Sequence, residues 1–503
     1  MSCGTNDDCD IEDGFVAPGA PRANGDVVHT KFRSRKAKAE DETPLLLDSD
    51  VPWANKKIWA KTWGCAHNSS DSEYMVGMLQ RNGFQLASTA EEADLWLLNS
   101  CTTPAETQVS NMVEKARAND KKVVVAGCVS QAAPDSAFLK GVSIVGVQQI
   151  DRIVYVVEET LKGNSVRLLS QRRKENLPLD LPKVRRNRFI EILAINSGCL
   201  NHCTYCKTKQ ARGDLRSFGL DDLVARAKQA FVEGCKEIWL TSEDLGSVRT
   251  GHRPSCQSDS GRLHDATWND NPQSAVSLNL DCLKEICGGA SLKRRRDPHH
   301  PRVYSFLHVP VQSGSSAVLA EMKREYNREQ FVQVVEFMRE HVPGIFLATD
   351  FICAFPTETE EDFRESLSLP RGVPLRFRVH QPVLPPPANT PAARLKKIDT
   401  VEARKRTAEM TRVFHSYTRY TPDRVGEIHD VLMCELATDG VHLVGHNKQY
   451  EHILVPQGPG VELGGRARVR ITGCSKFHMM SEVVVDGEAG SFLENKIVYG
   501  YIV

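Results

Sequence analysis

The sequence predicts a multidomain α/β protein with three folded parts. Short apolar runs alternate with helical patterns over residues 56–165 and again over 189–420, which is typical of parallel sheets covered by helices. From residue 421 the pattern changes to short strands separated by Gly, Asn and Asp turns. We therefore expect an α/β domain, then most of a (β/α) barrel, and then a small antiparallel barrel of the oligonucleotide-binding kind.

The composition is that of a soluble protein without a net charge. The 64 Lys and Arg residues equal the 64 Asp and Glu residues, so any RNA contact must come from local basic patches. Fifteen cysteines, an odd number, argue against a closed disulfide framework. Neither a secretory signal nor an apolar run near the ~18–20 residues of a membrane span is evident. We expect a cytoplasmic, reducing environment in which thiols stay free or bind metal.

Three cysteines follow three successive strand candidates of the domain at 56–165. They are Cys65, Cys101 and Cys128. Because the carboxyl ends of parallel strands lie at one edge of a sheet, their loops should converge there. A single cysteine of this kind is usually a small buried residue, whereas three at equivalent strand ends favour a shared cluster site.

The remaining parts of the chain receive simpler interpretations. Residues 1–55 lack periodicity and predict a disordered leader. The basic, proline-bearing stretch at 166–188 predicts a solvated linker in preference to a dedicated RNA contact. The small barrel is expected at 421–485 and a C-terminal tail at 486–503. Basic residues of this barrel are candidates for RNA binding, with a solvated face as the alternative: Lys448, Arg466, Arg468 and Lys476.

The most specific motif is a C-x3-C-x2-C loop directly after an apolar strand, formed by Cys199, Cys203 and Cys206. Three thiolates on one loop can hold three irons of a 4Fe-4S cluster and leave the fourth iron open. The amino and carboxylate groups of S-adenosylmethionine can occupy such an iron, and electron transfer then releases a 5′-deoxyadenosyl radical. The alternative is a zinc site with His202 as fourth ligand, but His202 adjoins Cys203, a spacing unlike that of tetrahedral sites.

Polar groups follow other strands of the predicted barrel. Ser242, Glu243 and Asp244 come after one strand, and a carboxylate there can accept hydrogen bonds from the ammonium of S-adenosylmethionine. A helix N-cap is the alternative for Ser242 and Asp244. His308 and Gln312 follow another strand and are further candidates for binding the cofactor at the barrel mouth.

These motifs resemble the methylthiotransferase family of radical SAM enzymes, most closely its eukaryotic and archaeal branch, the threonylcarbamoyladenosine tRNA methylthiotransferases. The similarity runs with gaps from about residue 56 to 485, and the radical-loop motif with its Lys-Thr-Lys extension is highly specific. The resembling stretches are TWGC at 62–65, NSCT at 99–102, VAGCVSQ at 125–131 and the segment 197–215.

The resemblance implies a flavodoxin-like N-terminal domain with an auxiliary 4Fe-4S cluster on the first three cysteines. It also implies a TIM-like partial barrel with a second 4Fe-4S cluster on Cys199, Cys203 and Cys206, and a C-terminal TRAM barrel that grips tRNA. In such enzymes one S-adenosylmethionine methylates a sulfur at the auxiliary cluster, and a second yields the radical that removes hydrogen from C2 of adenine. The expected substrate is N6-threonylcarbamoyladenosine next to the anticodon. Alternatives are isopentenyl-adenosine in tRNA, a ribosomal protein, or a non-catalytic role in binding tRNA or zinc.

The resemblance also implies partners and marks two departures. We expect a monomer that binds tRNA but not DNA, that takes electrons from a flavodoxin-like or reductase-like donor, and whose sulfur source the sequence does not identify. Eukaryotic relatives carry a C-terminal anchor in the endoplasmic reticulum membrane, and no comparable segment occurs in this sequence. Segments 245–300 and 369–389 depart from the family pattern. Our hypothesis is that alternative splicing or a misassigned reading frame produced them, in which case the barrel would be incomplete and the protein inactive.

Overall fold

The computed structural model describes residues 53, 55–101, 105–171, 176–243, 302–372, 376–380, 390–484 and 496–502. Most of the predicted leader and the whole atypical segment 245–300 therefore lie outside the described residues.

The N-terminal domain is a six-stranded parallel sheet with the order β2-β1-β3-β4-β5-β6. Its strands are β1 (Lys57–Thr62), β2 (Gln85–Leu86), β3 (Leu95–Ser100), β4 (Lys122–Gly127), β5 (Ser143–Val145) and β6 (Arg167–Leu168). Its helices are α1 (Ala66–Arg81), α2 (Ala105–Ala118), α3 (Cys128–Ala132) and α4 (Ile153–Leu161). All six residues of β3 are buried, because apolar clusters cover both faces of the sheet. This order confirms the flavodoxin-like fold, and β6 extends the sheet beyond the expected limit at residue 165.

The middle domain is built around parallel strands covered by helices. Its strands are β7 (Ile190–Ala194), β8 (Asn196–Ser197), β9 (Arg216–Ser217), β10 (Glu237–Ser242), β11 (Phe306–His308), β12 (Phe346–Ile352) and β13 (Arg376–His380). Its helices are α5 (Thr208–Arg212), α6 (Leu220–Val232), α7 (Ser316–Glu321), α8 (Arg328–His341), α9 (Glu360–Gly372) and α10 (Thr400–Ser416). Strand β10 pairs with β7, and β12 lies between β11 and β13. Strand β13 lies within the segment 369–389 that departs from the family pattern, so the chain does form a parallel strand there.

The C-terminal domain is a closed five-stranded barrel with the order β14-β15-β16-β18-β17. Its strands are β14 (Ile428–Leu436), β15 (His442–His446), β16 (His452–Pro456), β17 (Arg466–Cys474) and β18 (Met479–Val483). All pairs are antiparallel except β16 with β18. Alternating residues such as Val431, Met433, Val469 and Ile471 point inward and fill the barrel. The expected small barrel is confirmed.

One further strand, β19 (Lys496–Ile502), belongs to the middle domain although the sequence predicted only a tail there. It pairs in parallel with β10 along the whole of that strand and lies beside β11. It thereby completes the three-stranded sheet β19-β10-β7, which lies beside the second three-stranded sheet, β11-β12-β13. The edge of β10 would otherwise present unpaired backbone groups, which β19 satisfies.

Two cations of the predicted solvated linker, Lys183 and Arg185, are instead buried between two domains, whereas Arg186 and Arg188 are exposed as expected. Lys183 has a side chain only 1% exposed, with its Nζ 2.9 Å from Glu191 Oε1 and 3.3 Å from Glu73 Oε2. Arg185 and Arg226 also bind the Glu191 carboxylate, which lies in the buried strand β7. The difference has a physical cause, because a carboxylate buried in a strand requires paired cations.

This network predicts an acid-dependent loss of stability. Burial alone would raise the pKa of Glu191, but Lys183, Arg226 and Arg185 lower it to about 2. Because the unfolded pKa is about 4.3, the charged form stabilises the native state above that pH, and this stabilisation is lost as the pH falls from about 4.3 toward 2. Glu191→Gln should therefore lower the free energy of unfolding near pH 7 and flatten its decline between about pH 5 and pH 2.

The measurement is urea unfolding at a series of pH values. Glu114→Gln is the matched control, because Glu114 forms only a surface pair with Arg117 and its side chain is 63% exposed. The control should keep the pH dependence of the unsubstituted chain. Identical pH dependences for Glu191→Gln and Glu114→Gln would show that the buried network does not stabilise the fold.

Candidate active site

The sheet of the N-terminal domain brings Cys65, Cys101 and Cys128 together, as predicted. Cys65 lies between β1 and α1, Cys101 directly follows β3, and Cys128 directly follows β4. Strands β1, β3 and β4 are neighbours, and the strand order reverses beside β1, which is where doubly wound sheets bind ligands. None of the three cysteines is in a disulfide bond, and Cys128 is buried.

Two glycines allow the chain to approach these cysteines closely. Gly64 has a φ of +111°, and a Cβ at this position would lie 2.6 Å from Cys101 Cβ. Gly127 has a φ of +89°, and a Cβ there would lie 2.2 Å from Asn99 Oδ1. Both positions therefore require glycine, for conformation and for space.

Two buried asparagines, to which the sequence analysis gave no role, orient this set of thiols. Cys128 Sγ donates to Asn68 Oδ1 at 3.5 Å. Asn99 Nδ2 donates to the backbone oxygen of Asn68 at 2.7 Å, and Asn68 Nδ2 donates to that of Trp63 at 3.1 Å. These bonds fix the Cys128 side chain in its protonated form; a thiolate has no hydrogen to donate, and Asn68 Oδ1 then keeps the bond that it accepts from Arg212.

Burial favours the protonated form of Cys65 and Cys128 in the absence of a metal. It raises the pKa of Cys65 to about 12, against the lowering effect of Arg212. A hydrogen bond with Cys101, together with burial, raises the pKa of Cys128 well above its ordinary value. Because iron binds the thiolate, loading this site must release protons.

The second set of cysteines, Cys199, Cys203 and Cys206, lies on the loop between β8 and α5. Thr204 anchors this loop: its N–H donates to Met322 O at 3.1 Å, and its oxygen accepts from the N–H of Ala392 at 3.0 Å. The three cysteines are half-buried, whereas His202 is exposed. This exposure favours a cluster on the three thiolates over a zinc site that uses His202 as fourth ligand.

Hydrogen-bond donors reach two sulfurs of this loop. Cys206 Sγ accepts from the backbone N–H of Thr208 at 3.3 Å, and Cys203 Sγ accepts from Arg324 Nη1 at 3.3 Å. Burial raises the pKa of Cys206 to about 11. The loop is therefore held in a defined conformation with its sulfurs partly shielded from water.

The two sets of cysteines lie within electrostatic reach of one carboxylate, Glu243. This residue raises the pKa values of Cys65 and Cys128 in the first set and of Cys206 in the second. In the described part of the chain, no group of three His, Cys, Asp or Glu side chains is arranged to hold a single metal ion. A 4Fe-4S cluster binds each thiolate to a different iron, so three cysteines per set, none of them in a disulfide, fit that group by their chemistry.

Arg212 connects the two sets. It is the last residue of α5, and its Nη2 donates to Asn68 Oδ1 at 2.7 Å and to Asp71 Oδ2 at 2.8 Å in the N-terminal domain. Its Nε lies 2.6 Å from Glu243 Oε1. Burial raises the pKa of Glu243 to about 7, against the lowering effect of Arg212. The carboxylate expected to bind the ammonium of S-adenosylmethionine is thus paired with Arg212.

Comparison with known proteins identifies the family. Two family models match: the uncharacterized protein family UPF0004 over residues 57–146 and the Radical SAM superfamily over 193–369. The threonylcarbamoyladenosine tRNA methylthiotransferase of Drosophila melanogaster is 49% identical over 88% of this chain and 80% of its own length. The human protein of that name is 45% identical over 92% and 80% of the two chains, and a probable one from Pyrococcus horikoshii is 31% identical over 85% and 99%.

The chain belongs to the threonylcarbamoyladenosine tRNA methylthiotransferases. The resemblance inferred from the motifs is confirmed, as is the assignment to radical SAM transferases that use S-adenosylmethionine and iron–sulfur chemistry. In the described residues of this methylthiotransferase, no helix is long and apolar enough to cross a membrane.

The other predicted cofactor contacts of the methylthiotransferase have different surroundings. Ser242 is fully buried and its hydroxyl donates to Asn196 Oδ1 at 2.9 Å, so it holds β10 to β8. Asp244 lies outside the described residues. His308 is the last residue of β11, and its Nε2 lies 2.9 Å from Asp350 Oδ2. Gln312 has a φ of +72°, and its N–H donates to Asp350 O at 2.9 Å.

His67, which the sequence analysis did not single out, fastens the N-terminal domain of the methylthiotransferase to the middle domain. Its Nε2 lies 3.1 Å from the backbone oxygen of Asn196, which can only accept, so Nε2 carries the hydrogen. Its Nδ1 then accepts from Thr241 Oγ1 at 3.0 Å. Burial lowers the pKa of His67 to about 3, which keeps the ring neutral.

The four predicted RNA-binding residues of the methylthiotransferase divide into two groups. Lys448 Nζ donates to Val303 O, and Lys476 Nζ donates to the backbone oxygens of Phe414 and Tyr417. These two ammonium groups fasten the barrel to the middle domain, a use that the charge pattern did not predict. The other two, Arg466 and Arg468, lie on β17 and are half-buried. Arg468 Nε donates to Asp430 Oδ1 at 3.0 Å.

Proposed function

We propose that this chain methylthiolates C2 of N6-threonylcarbamoyladenosine next to the anticodon of tRNA and so forms 2-methylthio-N6-threonylcarbamoyladenosine. The observation that carries the proposal is geometric: three cysteines follow neighbouring strands at one edge of the N-terminal sheet, three more lie on the loop before α5, and Arg212 of α5 donates to Asn68 beside the first set. The names of relatives at 45–49% identity support this substrate.

We propose two 4Fe-4S clusters as cofactors, one on each set of cysteines, together with S-adenosylmethionine. When bound, these groups supply a 5′-deoxyadenosyl radical and a methylated sulfur. The chain itself places Asn68 beside the first set, where Asn99 donates to its backbone oxygen, and Arg212 of the helix that follows the second set donates to its side chain. His308 and Gln312, at the end of β11, are the proposed contacts of S-adenosylmethionine, and Asp244 remains a further candidate.

The tRNA is the proposed macromolecular partner, and β17 of the small barrel is its proposed contact. Arg466 and Arg468 alternate with inward-pointing residues on this strand, and Arg470, next along, is exposed. Guanidinium groups such as those of Arg468 and Arg470 can neutralise phosphates without reading the base sequence, whereas the Nη2 of Arg466 is buried and does not face solvent. An electron donor of the flavodoxin or reductase class and a monomeric enzyme complete the proposal, and the sulfur source stays open.

The test is nucleoside analysis of tRNA by mass spectrometry. The chain is expressed in cells that lack their own methylthiotransferases, with Cys199→Ala as the inactive control. We expect 2-methylthio-N6-threonylcarbamoyladenosine only with the unsubstituted chain. A methylthio group on isopentenyl-adenosine would assign the other tRNA substrate. Anaerobically purified chain that holds stoichiometric zinc and no iron would instead support a non-catalytic binding protein.

A further inference from the structure

A partly buried arginine, Arg324, contacts the radical loop from the barrel side. It lies in the turn between α7 and α8, and its Nη1 donates to Cys203 Sγ at 3.3 Å. Its backbone N–H donates to Leu319 O at 2.9 Å, and the preceding residue, Lys323, has a φ of +55°. The turn therefore fixes the backbone of Arg324, and its side chain extends to the Cys203 sulfur.

Tyr326 fixes the far end of this side chain. Arg324 Nε donates to Tyr326 Oη at 3.1 Å, and the guanidinium lies 4.9 Å from the centre of the tyrosine ring. The tyrosine hydroxyl has one hydrogen, which it can give to Pro310 O at 2.9 Å or to Val311 O at 3.1 Å. The Arg324 guanidinium is thus held between the radical loop and the segment at the end of β11.

A cationic donor at a cysteine sulfur has a defined electrostatic effect on an iron–sulfur cluster. Adding an electron makes the cluster more negative, and a positive charge hydrogen-bonded to a ligand sulfur stabilises that reduced form. The donor to Cys206, by contrast, is the neutral backbone N–H of Thr208. A charged donor is stronger than a neutral one, so Arg324 should dominate.

We propose that Arg324 is a positioning residue that raises the reduction potential of the cluster bound by Cys203, and that Tyr326 orients it. The proposal rests on the proposed assignment of Cys199, Cys203 and Cys206 to a cluster. The redox step is the gain of one electron by the cluster from an external reductant, without transfer of a proton or a group.

The test is a redox titration with dithionite, followed by electron paramagnetic resonance. The full chain carries alanine at Cys65, Cys101 and Cys128, so that only one cluster contributes to the signal. In this background Arg324→Met should lower the ratio of reduced to oxidised cluster about tenfold at a fixed potential, which is about 59 mV for one electron. Tyr326→Phe should shift the potential in the same direction by less, because the charge remains but loses its orienting partner.

Arg328→Met is the matched control. Arg328 lies four residues further on and donates to Gly314 O and Glu365 O, so its removal should leave the midpoint potential unchanged. An Arg324→Met protein with full iron content and an unchanged midpoint would overturn the proposal. So would weaker binding of S-adenosylmethionine at an unchanged potential, since Arg324 would then contact that cofactor and not tune the cluster.

Two further outcomes keep the test decisive. If Arg324→Met protein does not retain iron, Tyr326→Phe decides, and an unchanged midpoint in that variant overturns the orienting role and the proposal with it. If the background chain with an intact Arg324 binds no iron on its three remaining cysteines, the proposed cluster site fails, and with it the proposed function. That failure is distinguishable because it does not depend on Arg324.

Discussion

Alanine at Cys199, Cys203 and Cys206 together should abolish the reductive cleavage of S-adenosylmethionine and remove about four irons per chain. Alanine at Cys65, Cys101 and Cys128 should remove about four irons as well, but cleavage of S-adenosylmethionine should continue. Both triple variants should form no methylthiolated nucleoside. Cleavage should survive the loss of the first set because the two sets lie on separate loops. Hydrogen bonds of Thr204 hold the loop of the second set, and they do not involve the first set.

The measurements are iron and sulfide content after anaerobic reconstitution, 5′-deoxyadenosine release and nucleoside analysis. A third variant, with alanine at Cys235, Cys353 and Cys434, is the matched control because these three cysteines are buried and belong to neither set. It should keep all its iron and both activities. Loss of both clusters from either site variant alone, or retention of nucleoside product by one of them, would contradict two independent sites.

The positions of the six cysteines were predictable because the signals are local. Each cysteine of the first set follows a strand that is apolar in sequence, and parallel strands end at one edge. The loop with Cys199, Cys203 and Cys206 carries its ligands within eight residues. No knowledge of contacts between distant segments was needed for either inference.

Contacts between distant segments account for what the sequence did not reveal. Arg212 and Arg324 act through partners that lie far away in the chain, at Asp71 and Cys203. The apolar pattern of Lys496–Ile502 is typical of a strand, but nothing local identifies β10 as its neighbour. Lys183 belonged to a charge run, for which a solvated face is the usual interpretation. Glu191, a charged residue in an apolar strand, was a local sign that buried cations were required.

In contrast, β13 carried a local signal. Residues Arg376–His380 alternate polar and apolar side chains in the sequence RFRVH, which is the period of a strand. The prolines on both sides of Arg376–His380 are unusual for a barrel strand, and the sequence analysis therefore did not predict a strand there. The strand pairs in parallel with β12 all the same, so the departure from the family pattern at 369–389 does not prevent a strand from forming at 376–380.

Arg212→Met should lower the free energy of unfolding by about 3–5 kcal/mol, the usual cost of leaving buried carboxylates without their cation. Arg212 is 3% exposed and lies within 2.8 Å of both Asp71 and Glu243. Its loss should also raise the pKa of Cys65 and Cys128 further, because Arg212 lowers both. We therefore expect weaker iron loading at the first set of cysteines and less methylthiolated product for each 5′-deoxyadenosine released.

Urea unfolding, iron analysis and the ratio of methylthiolated nucleoside to 5′-deoxyadenosine test this prediction. Arg212→Lys should restore part of the stability but not the ratio, because an ammonium keeps the charge and cannot reach three partners with a planar fork. Arg152→Met is the surface control: Arg152 is 56% exposed and lies 4.0 Å from Asp151, so its loss should cost less than about 1 kcal/mol. If Arg212→Met matched that control in stability and kept an unchanged product ratio, Arg212 would not be the link between the two cysteine sets.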